Sequence, residues 1–436
     1  LKVTFFGGAE EVGRSCILIS SGNSNILLDA GVKLGKIVEH PQITKQVLDK
    51  VDAIFVSHAH MDHVGYLPHL YSMGYRGKIY ATKPTFELTN VLISDYMRIS
   101  DPKSITKDGL SRMQKSYKMV EFKEKTKIKD FTVSFSPSGH IVGASMITVD
   151  DGKNRLIYAG DVNLAKTRLL EGADMRNLVA DTLITESTYG ARKDIFPNET
   201  EVVKKAMASI KETIRQGGKV IIPSFAVGRA QEVLFLLDDY MNSGLIPKVK
   251  IYVDGMINKA NRIYRHNVIY CREELQKRIL MSDYDPFKSP NFFPVESKTD
   301  RVKVAAARES SIIVTTGGML SGGPVLYYLS KMGTHNSNKM ILVGYQGDGT
   351  PGRQLQDGAK EIEVEGKKIK VTLPIETYHL SAHADRKQLD TFVSRIKGLR
   401  TVLVVHGEPS KLAEFAEDLG KKYRAIIPRI GTEYTL

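Results

Sequence analysis

The sequence has no tryptophan and only two cysteines, Cys16 and Cys271, in 436 residues. Two thiols cannot build a disulfide framework, so a reducing compartment, the cytoplasm, is expected. No apolar run approaches the ~20 residues of a membrane-spanning helix, so no membrane association is expected. The opening residues Leu1-Lys2-Val3-Thr4-Phe5-Phe6 read as a strand and lack the charged-then-apolar layout of a signal peptide. Repeats and low-complexity tracts are also missing. Without tryptophan, stacking on nucleobases would rest on tyrosine and phenylalanine.

Basic residues are in surplus: 62 Lys and Arg against 49 Asp and Glu, a formal net charge of +13. That balance favours an acidic partner, nucleic acid, anionic lipid or another polyanion, against the plainer reading of a generally basic proteome or a solubilising surface; no lysine-rich amphipathic helix of the membrane-surface kind accompanies it. Hydrophobic residues make up 42%, ample for a core. At ~150 residues per domain the length allows two or three domains.

Apolar periodicity divides the chain. Strands are expected at 2–6, 15–20, 25–29 and 52–57, helices at 64–73 and 84–100, then strands at 131–136, 145–149, 155–160 and 182–185. After Tyr189-Gly190 the rhythm becomes strand–helix alternation, with helices near 199–216 and 229–241 and strands at 219–223, 249–253, 311–315 and 339–344. This is the pattern of a parallel-sheet α/β unit. Residues 286–301, polar and proline-bearing, read as a surface loop. From Thr377 the chain returns to short motifs ending in histidine, then a strand at 401–405, a helix and a last strand. One domain, 1–190 and 377–436, is thus expected to be interrupted by another at 191–376.

The residues that carry chemistry sit at strand ends. Val56-Ser57-His58-Ala59-His60-Met61-Asp62-His63 packs three histidines and an aspartate into six positions after an apolar run. Burying that many polar groups is costly without a partner. On an extended segment His58 and His60 share a face and can meet one ion; Asp62 and His63, in the turn that follows, can reach a second. Imidazole with carboxylate suits zinc. Further ligand types follow other apolar runs: His140 in Ser138-Gly139-His140, Asp161 in Ala159-Gly160-Asp161, and His406 in Val404-Val405-His406-Gly407. Taken alone, each is more often an ordinary polar residue. His40, His69, His266 and His335 lie in no such context.

His-x-His-x-Asp-His, then an isolated His, then an Asp after Gly, resembles the metallo-β-lactamase superfamily. Leu27-Leu28-Asp29-Ala30-Gly31 fits its first motif. Gly8-Ala9-Glu10-Glu11-Val12-Gly13-Arg14-Ser15-Cys16 looks like the N-terminal signature of the endonuclease subunit of the cleavage and polyadenylation specificity factor. Glu186-Ser187-Thr188-Tyr189-Gly190, Ser381-Ala382-His383-Ala384-Asp385 and Val405-His406-Gly407-Glu408 resemble motifs A, B and C of the β-CASP nucleases. The segments 223–232 and 317–324 look like pieces of the β-CASP insert. Starting at the lactamase domain, without KH domains or a long C-terminal extension, the chain resembles the compact archaeal homologue.

The resemblance implies an αββα sandwich interrupted by a β-CASP α/β domain with a mainly parallel sheet. It implies a two-zinc ribonuclease: His58, His60 and His140 on one zinc, Asp62, His63 and His406 on the other, Asp161 bridging. A water shared by the metals would attack phosphorus in line, leaving a 5′ phosphate and a 3′ hydroxyl. His383 is the candidate acid for the leaving oxygen, with Glu186 orienting it; residues alone rank an ordinary salt bridge equal. Asp62 and Asp29 complete the expected catalytic set, Asp29 as a group that fixes a ligand or the water. Ser381 and, more weakly, His379 are candidates for a substrate phosphate. Gly317–Gly323 reads as a phosphate cradle or a mere turn, and Arg229 and Arg353 as groove residues or braces. Histidine in motif C points to RNA, single-stranded, threading between the domains. A homodimer through the insert and membership of an RNA-processing or transcription-termination complex are further family expectations. The alternatives are another enzyme of the superfamily acting on a small molecule, a DNA-processing nuclease of the same fold, and a catalytically inactive scaffold.

Overall fold

The structure, a computed structural model, describes residues 1–35, 37–100, 102, 104–282, 284–364 and 366–436. The chain divides into two compact units. One comprises Leu1–Lys166, Leu170–Ile195 and His383–Leu436, the other Thr167–Leu169 and Phe196–Ala382.

Two seven-stranded sheets form the heart of the first unit. One runs Glu433–Thr435, Lys2–Gly7, Cys16–Ser21, Ser24–Leu28, Ala53–Phe55, Lys78–Ala81, Tyr117–Met119. The other runs Arg424–Ile426, Thr401–Val404, Thr182–Thr185, Arg155–Tyr158, Ser145–Asp150, Phe131–Pro137, Lys125–Ile128. Alternation along the strands builds three layers of core. Ile26, Leu28, Ala53 and Phe55 meet Leu156, Tyr158, Ile184 and Leu403 between the sheets. Their neighbours Leu27 and Ile54 face outward onto Val64, Leu67 and Leu70, while Ile157, Leu183, Val402 and Val404 face Leu389, Phe392 and Phe415. The strand period is two, so a one-residue slip would trade the side chains between the sheets for those under the helices and misfit both layers. Helices cover both outer faces, which makes the unit an αββα sandwich.

A six-stranded sheet organises the second unit, in the order Phe292–Val295, Lys250–Asp254, Ser311–Thr316, Val220–Ser224, Lys339–Leu342, Ile375–Thr377, with every pair parallel. Its strands are apolar on both faces: Val220 and Ile222 belong to one core, Ile221 to the other. Parallel sheets are covered by helices on both sides, which is why these segments read as continuous apolar runs. The expected fold class holds for both units.

Two local readings need correction, and two elements are additional. Residues 286–301 are not a loop: they hold a short 3₁₀ turn at Pro286–Lys288, the strand Phe292–Val295 and the start of the helix Lys298–Ala306. Pro294 lies on the edge strand, which pairs on one side only, so its missing N–H costs no ladder bond. The helix expected at 64–73 is two short ones, Met61–Val64 and Leu67–Ser72. The helix Lys107–Lys115 and the strand Lys78–Ala81 were not foreseen.

Parallel pairing places the first unit's functional loops. Leu28 pairs with Phe55, Tyr158 with Ile184 and Thr185 with Val404. The carboxyl ends of these strands therefore come out at one edge of each sheet, where α/β folds place their ligands. Among the described residues, no helix is long and apolar enough to cross a membrane.

Candidate metal centre

Each candidate ligand leaves one of those strand ends. His58 and His60 follow the strand Ala53–Phe55, with His60 in extended conformation just ahead of the turn that carries Asp62 and His63. His140 follows Phe131–Pro137, Asp161 follows Arg155–Tyr158, and His406 follows Thr401–Val404. The fold brings all seven together in the first unit. His58, His60, His140 and Asp161 form one donor group, and Asp62, His63 and His406 a second, each within 4.8 Å across.

Asp161 stands between the groups. Its Oδ2 lies 3.5 Å from His58 Nε2 and 3.6 Å from His140 Nε2. Its Oδ1 lies 3.5 Å from His63 Nε2 and 3.6 Å from His406 Nδ1. Within the groups, His140 Nε2 is 3.0 Å from His60 Nδ1, and His406 Nε2 is 3.1 Å from Asp62 Oδ2.

Three of these atoms, His58 Nε2, His63 Nε2 and Asp161 Oδ1, are buried without a hydrogen-bond partner among the described residues. Orphaned buried polar atoms are costly, and a cation between them removes the cost. The protonation states agree. Asp29 is wholly buried and accepts from Ser57 N at 2.7 Å, Ser57 Oγ at 2.6 Å and Tyr158 OH at 2.7 Å. It also lies 2.7 Å from His63 Nδ1, so that nitrogen carries the proton and Nε2 keeps a lone pair. Ser57 Oγ spends its only proton on Asp29 and must accept from His58 Nδ1, 3.1 Å away. His58 Nε2 is thereby also left as a lone pair. In the neutral form of each ring the unpartnered nitrogen thus turns a lone pair to the site, and the residues present fit metal ions.

Electrostatics point the same way. Burial pushes the His58 and His60 pKa values down, keeping both rings neutral. Burial would raise the Asp62 and Asp161 carboxyls, but the surrounding histidines hold them below the usual range. His63 differs: against burial, Asp161, Asp62 and Asp29 raise its pKa, so in the metal-free chain Nε2 holds a second proton that a cation would displace. Four carboxylates, Asp29, Asp62, Asp161 and Glu186, thus line one region that calls for positive charge.

His383 and Glu186 also meet there. Both Glu186 oxygens lie 3.1 Å from His383 Nδ1, and Glu186 Oε1 accepts from Val162 N at 2.9 Å. The His383 ring packs against that of His140, with centroids 4.6 Å apart. Ser381 and His379 belong to the second unit, where His379 stacks on Phe196 at 5.6 Å. In that unit Arg229 is buried, and Arg353 pairs with Asp357 at 2.9 Å and Asp348 at 3.5 Å. Sequence reasoning missed Ser57 and Tyr158, which hold Asp29. A serine just before the ligand cluster was the only local signal for the first, and Tyr158 sits in core alternation that hides its hydroxyl.

Comparisons with known proteins place the chain in a family. Residues 18–188 match the metallo-beta-lactamase superfamily domain, 230–355 the Beta-Casp domain, and 368–428 the Zn-dependent metallo-hydrolase RNA specificity domain. Proteins named transcription termination factor FttA are similar over 97% of this chain and 69% of their own length. Identity is 35% for that of Methanothermobacter thermautotrophicus, 34% for Methanocaldococcus jannaschii and 36% for Lokiarchaeum. A crystal structure of a protein of unknown function from Enterococcus faecalis superimposes with a TM-score of 0.58 at 15% identity, covering 100% of this chain and 99% of that one, a likeness of fold alone. The chain belongs to the β-CASP family of the metallo-β-lactamase superfamily.

Proposed function

We propose that the chain is a two-zinc ribonuclease that hydrolyses single-stranded RNA to 5′-phosphate and 3′-hydroxyl ends, in transcription termination or RNA processing. The observation that carries this reading is Asp161, whose two oxygens face two different donor groups. His58, His60 and His140 would hold one ion, Asp62, His63 and His406 the other, and Asp161 both. Two dications would also balance the four carboxylates of the site. When bound, the ions supply an acidified water for attack and positive charge opposite the phosphoryl oxygens.

The chain's own residues then have distinct tasks. Asp29 holds a proton on His63 Nδ1 and so aims Nε2 at the site. Ser57 does the same for His58 through its hydroxyl. Glu186 occupies the Nδ1 side of His383 and favours its charged form, and His383 gives its Nε2 proton to the leaving 3′ oxygen. The RNA assignment draws on the RNA specificity domain match, the name of the relatives, the +13 charge and histidine at 406. Ser381 and His379 remain the proposed phosphate contacts.

The test uses internally labelled RNA and DNA oligonucleotides of one sequence, with zinc-loaded wild type and Asp161→Ala. RNA cut only by wild type, with 5′-phosphate ends, is the expected result; internal fragments mean endonuclease and mononucleotides exonuclease. No cutting by a chain carrying both zincs would overturn the reading.

A further inference from the structure

The second donor group draws on both sheets. Asp62 and His63 follow a strand of one sheet and His406 follows a strand of the other, so some element must set the distance between them. One loop, Gly8 to Ser15, reaches both ends. Ser15 N–H donates to Asp62 O at 2.8 Å, and Ser15 O accepts from Gly31 N at 2.9 Å. A few residues earlier, Gly8 O accepts from His406 N at 3.0 Å and Glu11 O from Gly407 N at 3.2 Å. His406 is itself held at φ 49°, a left-handed conformation that persists in a non-glycine residue only where the surroundings enforce it.

The loop is a costly shape. Gly8, Glu10, Gly13 and Arg14 all have positive φ, and a Cβ on Gly7 would lie 2.0 Å from Arg14 O. Its side chains tie it shut. The Glu11 carboxylate takes Arg14 Nε at 2.5 Å on one oxygen and Lys33 Nζ at 3.0 Å on the other. Arg14 continues to His40 O at 2.9 Å, and Lys33 to Glu39 at 3.4 Å. The Glu11 and Arg14 side chains are each only 13% exposed, so this pairing is shielded from the screening that weakens surface ion pairs.

The other donor group has a separate brace. Ser145 N donates to Ser57 O at 2.9 Å, and Thr82 Oγ1 to Gly143 O at 2.8 Å, linking the His58 and His140 sides without the loop.

We propose that the Gly8–Ser15 loop is a latch that fixes Asp62 against His406, and that Glu11 is the positioning residue that keeps it closed, so that Glu11 governs the affinity of one metal site and not the other. The inference rests on the two-metal reading above. Glu11 touches neither ion nor substrate; it acts through the main chain of two ligands. Removing supports behind metal ligands typically costs 10–100-fold in affinity, and that is the loss expected here, confined to one ion.

The test titrates the metal-free full chain with Mn2+ and follows stoichiometry and electron paramagnetic resonance. Wild type should take two ions and show a coupled pair. Glu11→Ala should take the first ion as wild type does and the second about 10–100-fold more weakly. Its single-ion spectrum should match that of His406→Ala and differ from that of His60→Ala. Lys33→Met removes the partner of the other Glu11 oxygen from a part-exposed position and should weaken the same ion, which keeps the test open should Glu11→Ala fail to fold. Both variants binding two ions with wild-type affinity, or a residual spectrum of the His60→Ala kind, would overturn the latch alone. A wild-type chain that binds fewer than two ions would overturn the two-metal reading and the latch with it.

Discussion

Asp29 Oδ2 lies 2.7 Å from His63 Nδ1 at the centre of a buried cluster in which every neighbour donates to the carboxylate. Ser57 contributes its N–H and its hydroxyl, Tyr158 its phenol, His63 its ring N–H. An ionised carboxylate offers about four lone-pair sites, and here Oδ2 takes three donors and Oδ1 one. Burial, then the Asp29 charge, push the Tyr158 phenol up, so it stays protonated and keeps donating. The aspartate behind the ligands therefore decides which nitrogen each ligand presents.

Asp29→Asn is isosteric but replaces two acceptor oxygens with one and adds two donors where four donors already point. His63 then loses the group that fixes its tautomer. Zinc affinity should fall about 10–100-fold, read by competition with a chelator. Unchanged affinity would mean that Asp29 serves packing only.

His383 yields a pH prediction for the metal-free chain. Burial opposes its charge, but Glu186 and Asp161 prevail and its pKa rises to about 9. A histidine raised above its unfolded value of ~6.5 contributes stability that is complete below that pH and disappears by about 9. The melting-temperature advantage of wild type over Glu186→Gln should thus be largest below pH 6.5 and vanish above 9. An advantage constant across that window would refute the coupling. In the zinc-loaded chain, His383→Ala should lower RNA cleavage about 10²–10⁴-fold with metal content unchanged.

Much of the cluster was legible because crowding His58, His60, Asp62 and His63 at one strand end is costly without a partner. Short apolar runs, such as Ser24–Leu28 and Arg155–Tyr158, were legible because strands buried on both faces are apolar throughout. What escaped notice obeyed weaker signals. Phe292–Val295 contains a proline, which argues against a strand unless the strand lies at an edge, and edges are a tertiary property. The strand Lys78–Ala81 has only two buried side chains, too few to reveal a period. Tyr158 alternates as a core residue should, so nothing local marks its hydroxyl as the prop of Asp29.

Gly31 tests how tightly the first motif grips the ligand turn. A Cβ there would lie 1.7 Å from Asp62 O and 2.6 Å from His63 N, both main-chain atoms that cannot move without carrying the ligands along. Gly31→Ala should cost about 3 kcal/mol and lower metal occupancy. Gly35→Ala, whose new Cβ meets nothing nearer than 3.5 Å, is the control. Thermal melting with and without zinc separates the two effects, and a fully stable, metal-replete Gly31→Ala chain would contradict the geometry.

In the second unit, Lys219 is only 5% exposed and its Nζ donates to the carbonyls of Val304, Ala305 and Ala307, at 2.9, 3.2 and 2.6 Å. It closes the C-terminal end of the helix Lys298–Ala306, where a cation also meets the negative end of the helix dipole. Lys219→Met keeps the stem and removes the charge, and should cost about 2 kcal/mol, seen as a lower urea midpoint. An unchanged midpoint would show that water replaces the ammonium without loss.

RNA binding itself should be strongly salt-dependent. Each phosphate neutralised on a single strand contributes a slope of about −0.7 to log affinity against log salt. With about six contacts, affinity should fall roughly 300-fold between 50 and 200 mM salt. Asp161→Ala, which should not cut, allows the measurement without loss of the oligonucleotide, and the net charge of +13 leaves basic groups enough for that many contacts. A slope near zero would mean that the basic surplus lies away from the RNA. A steep slope shared equally by RNA and DNA would place the choice between them in the cleavage step, because phosphate contacts position a strand without reading its sugar.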